Sequence, residues 1–218
     1  MPLHFYMTPG SCSTGIHILL EELELPFQVT VLNLPAGQHR EPAYLAINPK
    51  GTIPALVLND GQVLTEFQAI AYWLARSYPR RQWLSDAPVL AARTLAFMDH
   101  VVGHVHGQGY TRIFTTDTYL PPEVMQDLPA QERARWTAAV QARGREIVTQ
   151  GFAVIESQLT DGGWAMGEHF GLADAAFFYV AFWADKLSLP LPPRCQALYR
   201  RLRDRPVVAR VLAEEGYR

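Results

Sequence analysis

Cys12 sits in Pro9-Gly10-Ser11-Cys12-Ser13, where a strand-like run gives way to a helical one. A thiol at a helix N-terminus sees partial positive charge, which favours the nucleophilic thiolate. Two hydroxyls flank it. Ser11 and Ser13 can each donate to a bound thiolate or cap the helix, and Ser13 is the better candidate for the cap. Tyr6 is a further possible donor. The second cysteine, Cys195, is far away in sequence, so a disulfide framework is not indicated and Cys12 is free for chemistry. The plainer role for such a residue is a small buried packing side chain.

Further chemistry is suggested between residues 48 and 74. Asn48-Pro49-Lys50-Gly51 is a turn, Ile53-Pro54 leads into the apolar run Ala55-Leu56-Val57-Leu58, and Asn59-Asp60-Gly61 reads as a tight hairpin into Gln62-Val63-Leu64. Pro54 cannot donate a ladder hydrogen bond and belongs at the strand's start or in a bend. Thr65 with Gln68 fits a capping box, which starts a helix near Glu66. Free N–H groups at that helix start, beside a bent strand edge, can bind a carboxylate and pair with a peptide backbone.

Histidines form the last group. His100 and His104 share a helical face, the spacing of a zinc pair, but a third ligand and a general base are not evident, so no metal is expected. His106, Tyr110, Arg112 and Phe114 follow and could line a pocket, although aromatic residues at helical spacing are more often core.

The elements that must hold these groups divide into two kinds. Leu3 to Met7 suits a first strand; Ile16, Leu19, Leu20 and Leu23 mark the apolar face of a helix; residues 27–34 suit a second strand. With the hairpin and helix above, this is a βαβ, ββα order. A loop at 35–42 carries Gln38, His39 and Arg40. From residue 89 strand signals nearly vanish, and helices are expected at 91–113, 130–159, 172–186, 195–203 and 207–215, with boundaries at Gly162-Gly163, at Pro190 to Pro193 and at Pro206. The expected fold is α/β plus all-α: a first domain at 1–78, a linker at 79–88 and a helical bundle at 89–218.

Composition narrows the function classes. Hydrophobic content of 49% with 18% charged residues is that of a soluble globular chain, and 218 residues can bury a sizeable core. The formal net charge of −2 argues against nucleic acid or an anionic membrane as partner. No apolar run approaches the length of a membrane span, and no basic region followed by an apolar stretch opens the chain, so a cytoplasmic location is expected.

Pro49-Lys50-Gly51, Ile53-Pro54-Ala55-Leu56 and Leu64-Thr65-Glu66 resemble the glutathione-binding core of the cytosolic glutathione transferases. The resemblance implies a thioredoxin-like first domain, a cis Ile53-Pro54 bond, backbone pairing of Ile53 with the cysteinyl part of glutathione, and a γ-glutamyl end held at Glu66 and Phe67. Phe67 keeps the N–H but lacks the hydroxyl of the serine often found there. Pro9-Gly10-Ser11-Cys12-Ser13 with His17 resembles the beta-class bacterial members, in which the cysteine can form a mixed disulfide with glutathione. Two residues, Met7 and Thr8, separate Tyr6 from Pro9, where that class has one, which ranks Tyr6 below Cys12 and Ser11. The class also has a histidine near residues 104–106 that approaches glutathione, here assigned to His106. Gly167 to Asp174 looks like the motif opening the central helix of the second domain, with Gly171 where Ser or Thr is usual.

The implied function is a glutathione transferase whose glutathione thiolate attacks a small apolar electrophile, in a homodimer, with Cys12, Ser11 or Tyr6 acting on the thiol. Ile53, Pro54, Glu66, Phe67, Gln38, His106 and Tyr110 are the expected binding residues. The alternatives are a glutathione-dependent thiol-disulfide reductase using Cys12 and a non-enzymatic transferase-fold binding protein.

Overall fold

Strand β1 (Leu3–Met7) alternates buried and half-buried side chains, so Leu3, Phe5 and Met7 face one side of the sheet and His4 and Tyr6 the other. The computed structural model describes residues 2–161 and 163–217. β1 pairs in parallel with β2 (Phe27–Val31) and antiparallel with β3 (Ala55–Val57), which forms a hairpin with β4 (Val63–Thr65). The strand order is β2-β1-β3-β4. β2 ends three residues earlier than expected, because Asn33 turns the chain by accepting from the Ala36 N–H at 3.0 Å.

Helix α1 (Ser13–Glu22) is buried around most of its circumference, since it packs against α3 (Phe67–Ser77), α8 (Leu172–Lys186) and α10 (Pro206–Glu214). The short α2 (Pro42–Leu45) covers the opposite sheet face, where the Tyr6 and Tyr44 rings lie 5.7 Å apart. The Thr65–Gln68 capping box does not form. Lys50 Nζ donates to Thr65 Oγ1 at 2.8 Å, and Gln68 reaches Asp99 instead. α3 starts at Phe67, after Glu66, whose φ is +71°.

The helical part follows a one-turn segment at Pro79–Arg81. α4 (Pro88–Asp99) continues through a π-helical stretch, His100–Tyr110, into α5 (Thr111–Phe114), so the expected helix at 91–113 is one run with a widened middle. Such widenings often mark functional segments. α6 (Pro122–Met125) is a single turn before α7 (Ala130–Gln158), and α9 (Pro193–Arg203) precedes α10. Gly162, expected at the boundary after α7, lies outside the described residues. No helix among the described residues is long and apolar enough to cross a membrane.

α8 is the centre of this part, with every residue from Leu172 to Ala184 buried. Burying a phenylalanine contributes about 1.5–3 kcal/mol, and α8 carries Phe177, Phe178 and Phe182 in its core face. Its start is held by Asp174, whose carboxylate accepts from the Gly171 N–H at 2.9 Å and the Ala165 N–H at 2.8 Å. The usual hydroxyl residue is replaced by Gly171 for a steric reason. A Cβ there would stand 2.9 Å from the Trp83 carbonyl oxygen, which accepts from the Leu172 N–H. Gly171→Ser is therefore expected to lower stability by about 1–3 kcal/mol in urea denaturation, despite supplying a capping hydroxyl. An unchanged or higher denaturation midpoint would contradict this packing account.

Candidate active site

Gly10 has φ +69° and turns the chain between β1 and α1. Its peptide groups are held from the far end of the chain. The Gly10 N–H donates to Glu215 Oε2 at 2.7 Å, and the Gly10 carbonyl accepts from Trp183 Nε1 at 2.7 Å. Tyr217 closes over it, so a Cβ on Gly10 would lie 2.1 Å from the Tyr217 hydroxyl. Glu215 also accepts from Thr14 Oγ1 at 2.7 Å and from His17 Nδ1 at 2.9 Å, which ties α1 into the same network.

Beyond this turn the two serines share one carbonyl. Ser11 Oγ donates to the Thr8 carbonyl at 2.6 Å, Ser13 Oγ lies 3.0 Å from the same oxygen, and the two hydroxyl oxygens are 2.5 Å apart. Ser11 Oγ accepts from the Ser13 N–H at 3.1 Å. Ser11 thus takes the first N–H of the helix, Cys12 holds the N-cap position without a side-chain cap bond, and Ser13, the expected cap, is the first helical residue. Ser13 Oγ accepts from the Thr8 N–H instead. If Ser13 donates to Thr8, the Ser11 hydrogen bridges to Ser13 Oγ, and turning it toward a ligand gives up that hydroxyl–hydroxyl bond while Ser11 still accepts from the Ser13 N–H.

Cys12 is 8% exposed, and its Sγ donates to the Ile53 carbonyl at 3.6 Å. Burial pushes its thiol up to about 12, with the Glu66 charge adding to the effect and backbone N–H groups opposing it. The helix terminus supplies up to about 2 kcal/mol at a partly buried site, and desolvation still outweighs it, since the net shift is upward. Burial therefore favours the thiol form of Cys12, contrary to the reading from helix position alone.

The cleft beside this turn has a volume of about 700 Å³ and a wall that is mostly apolar. Ser11, Cys12, Ile53 and Glu66 line one side, with the Ile53-Pro54 bond cis. His106, Phe114, Phe182 and Trp183 line the other. Glu66 pairs with Lys50 Nζ at 2.6 Å, and its positive φ is a sparsely populated conformation at the entrance to α3. The first N–H groups of α3 have no intrahelical acceptor, and its N-cap residue, Glu66, makes no side-chain cap bond. Burial pushes His106 down to about 4, leaving it neutral beside Tyr179, whose hydroxyl is 3.3 Å from Nδ1.

Residues 10–77 match the N-terminal domain of glutathione S-transferase, and residues 138–212 match its C-terminal domain. The chain belongs to the glutathione S-transferase family. It is 31% identical to glutathione S-transferase GstA of Escherichia coli O157:H7 over 98% of this chain and 99% of that protein. The glutathione S-transferase of Xylella fastidiosa superposes with a TM-score of 0.83 at 28% identity, covering 99% of this chain and 100% of the other. A Sulfitobacter glutathione transferase homologue, solved with bound glutathione, gives a TM-score of 0.82 at 27% identity over 100% and 99% of the two chains. The mixed four-stranded sheet with a helical second part is the transferase fold.

Within that fold the residues singled out in the sequence do not all meet at the cleft. Tyr6 stacks on His4 and lies tilted against Tyr44 on the α2 side of the sheet, and it is not among the cleft-lining residues. The Phe67 ring packs on Tyr179 at 5.4 Å, and the residue is buried and not among the cleft-lining ones. Gln38 Oε1 accepts from the Asn33 N–H and holds its own loop. Tyr110 is fully buried and donates to the Val180 carbonyl at 2.8 Å, behind Trp183 and Phe114. His39, Trp183, Lys186 and Tyr217 line the cleft and were missed as site residues. His39 offers a signal only in three dimensions, as its buried Nδ1 lacks a hydrogen-bond partner. His100 and His104 stack at 5.1 Å, and His100 Nε2 donates to the Gly151 carbonyl.

Alkylation of Cys12 by iodoacetamide is expected to be slow at neutral pH and to keep accelerating beyond about pH 9, because its thiolate appears only toward the raised value. Peptide mass spectrometry across pH checks this. A rate plateau at or below about pH 8 would show an activated thiolate.

Proposed function

We propose that the cleft binds extended glutathione and that the enzyme adds its thiolate to a small apolar electrophile. The observation that carries this reading is the arrangement along one wall: Ser11 at the thiol end, the Ile53 backbone beside the cis Pro54, and Glu66 with the open start of α3 at the other end. The γ-glutamyl carboxylate pairs with the Phe67 N–H, which survives the loss of the usual hydroxyl, and the γ-glutamyl amine pairs with Glu66. His39, on the cleft wall, takes the remaining carboxylate in this reading. The Ile53 carbonyl, which now accepts from Cys12, takes the cysteinyl N–H.

Ser11 is the group that acts on the sulfur. Its hydroxyl donates to the glutathione thiolate while Ser13 takes over the Thr8 carbonyl, an exchange in which the Ser11–Ser13 hydroxyl bond gives way to the charged acceptor. The thiolate then attacks the electrophilic carbon, forming a C–S bond as the leaving group departs with the bonding pair, and the thiol proton goes to solvent. Phe114, Phe182 and Trp183 hold the apolar substrate within reach, so positioning and thiolate stabilisation supply the rate. Neutral His106 offers a hydrogen bond without a charge.

The raised Cys12 thiol speaks against the reductase alternative, which needs a nucleophilic thiolate on the protein. A homodimer is supported by exposed apolar side chains on α3 and α4, namely Tyr72, Val89 and Leu90. Two free cysteines, both buried, fit a reducing cytoplasm.

Steady-state conjugation of glutathione to chlorodinitrobenzene separates the two candidate residues. Ser11→Ala is expected to lower kcat/KM about 10²-fold, while Cys12→Ala keeps it within severalfold of the parent. The reverse ranking would transfer the role to Cys12.

A further inference from the structure

A second polar cluster joins α1 to the end of α10, and none of its three members lines the cleft. His17 is 5% exposed, and its Nδ1 lies 2.9 Å from Glu215 Oε1. A carboxylate only accepts, so Nδ1 carries the hydrogen and the ring is held with Nε2 on the opposite side. Nε2 faces Glu214 Oε2 at 3.4 Å. That is long for an N–H···O bond, whose range ends near about 3.2 Å. It is the separation expected of two ligands on one ion, since donors at about 2.0–2.2 Å around a tetrahedral cation stand roughly 3.4 Å apart.

Glu21 lies one turn after His17 and completes the group, with the three donor atoms all within 4.8 Å of one another. Arg210 pairs with Glu21 Oε2 at 3.1 Å, so this carboxylate meets a guanidinium as well as the cluster. Glu214 is 46% exposed at its side chain and can adjust to an ion. The His17–Glu215 pair matches the carboxylate–histidine arrangement that orients metal-bound imidazoles.

We propose that His17 Nε2, Glu21 and Glu214 form a binding site for a zinc-class divalent cation, with Glu215 as the outer partner of His17. One imidazole and two carboxylates suit zinc better than calcium or magnesium, which take oxygen donors alone. The ion clips α1 to the C-terminal helix. Because Glu215 also holds the Gly10 N–H and Thr14, occupancy stiffens the turn that carries Ser11.

Titration of the metal-stripped, full-length protein with zinc against a chromophoric chelator tests this. About one tightly bound ion per chain is expected, with Glu214→Gln and Glu21→Gln each weakening it about tenfold or more. Zinc should also raise the melting temperature of the parent, and not that of the double variant. Zinc could instead sit on Cys12 or on the stacked His100–His104 pair, so Cys12→Ala and His104→Gln serve as controls that should bind as the parent does. Absence of tight binding, persistence of it in the double variant, or its loss in either control overturns the proposal and leaves an ordinary histidine–glutamate ion pair. Transferase activity is read separately, so failure here does not bear on the cleft.

Discussion

The Gly10 peptide is the point on which the rest of the site depends. Its N–H is fixed by a glutamate 205 residues further along the chain, and its carbonyl by an indole on the central helix of the second part. Each bond is ordinary in isolation, with a net worth of about 0.5–1.5 kcal/mol for a neutral pair and about 1.5–3 kcal/mol where a carboxylate accepts. Their combined effect is positional. They set where β1 ends and α1 begins, and therefore where Ser11 and Cys12 stand relative to Ile53. The helical part thus builds one wall of the cleft and also holds the opposite wall's sharpest turn.

Burial decides which of the neighbouring groups can act. Helix position alone argues for a Cys12 thiolate, but the side chain is largely buried in its stretch of the cleft wall and donates to the Ile53 carbonyl, and the cost of desolvating a charge there exceeds what a helix terminus returns. Ser11 lies one residue earlier, at the cleft wall, with its hydrogen exchangeable between two acceptors. A hydroxyl need not ionise to stabilise a thiolate, so burial does not penalise its role in the same way. The same contrast applies at His106, which burial keeps neutral.

Much of the architecture was legible because it rests on local patterns. The β1-α1-β2 order, the Asp60-Gly61 hairpin and the span of α8 follow from alternation, turn residues and helical spacing, and the cis Ile53-Pro54 bond followed from family resemblance. What escaped is set by contacts between distant segments. The Thr65–Gln68 cap lost to Lys50 and Asp99, neither of which is local to it. Tyr110 reads as a pocket aromatic, yet the wall is made by Phe114 and Trp183 in front of it. Tyr6 is one strand position from Met7, and the period of a strand sends it to the other face of the sheet. Glu215 and Tyr217 have no motif at all. Only the fold brings the chain end to Gly10.

In the proposed mechanism Ser11, and not Cys12, stabilises the glutathione thiolate. An ultraviolet difference titration of glutathione bound to the enzyme measures that ionisation directly. The midpoint should fall below that of free glutathione in the parent and in Cys12→Ala, and return toward the free value in Ser11→Ala. A midpoint unmoved by Ser11→Ala, or one restored to the free value by Cys12→Ala, would contradict the claim.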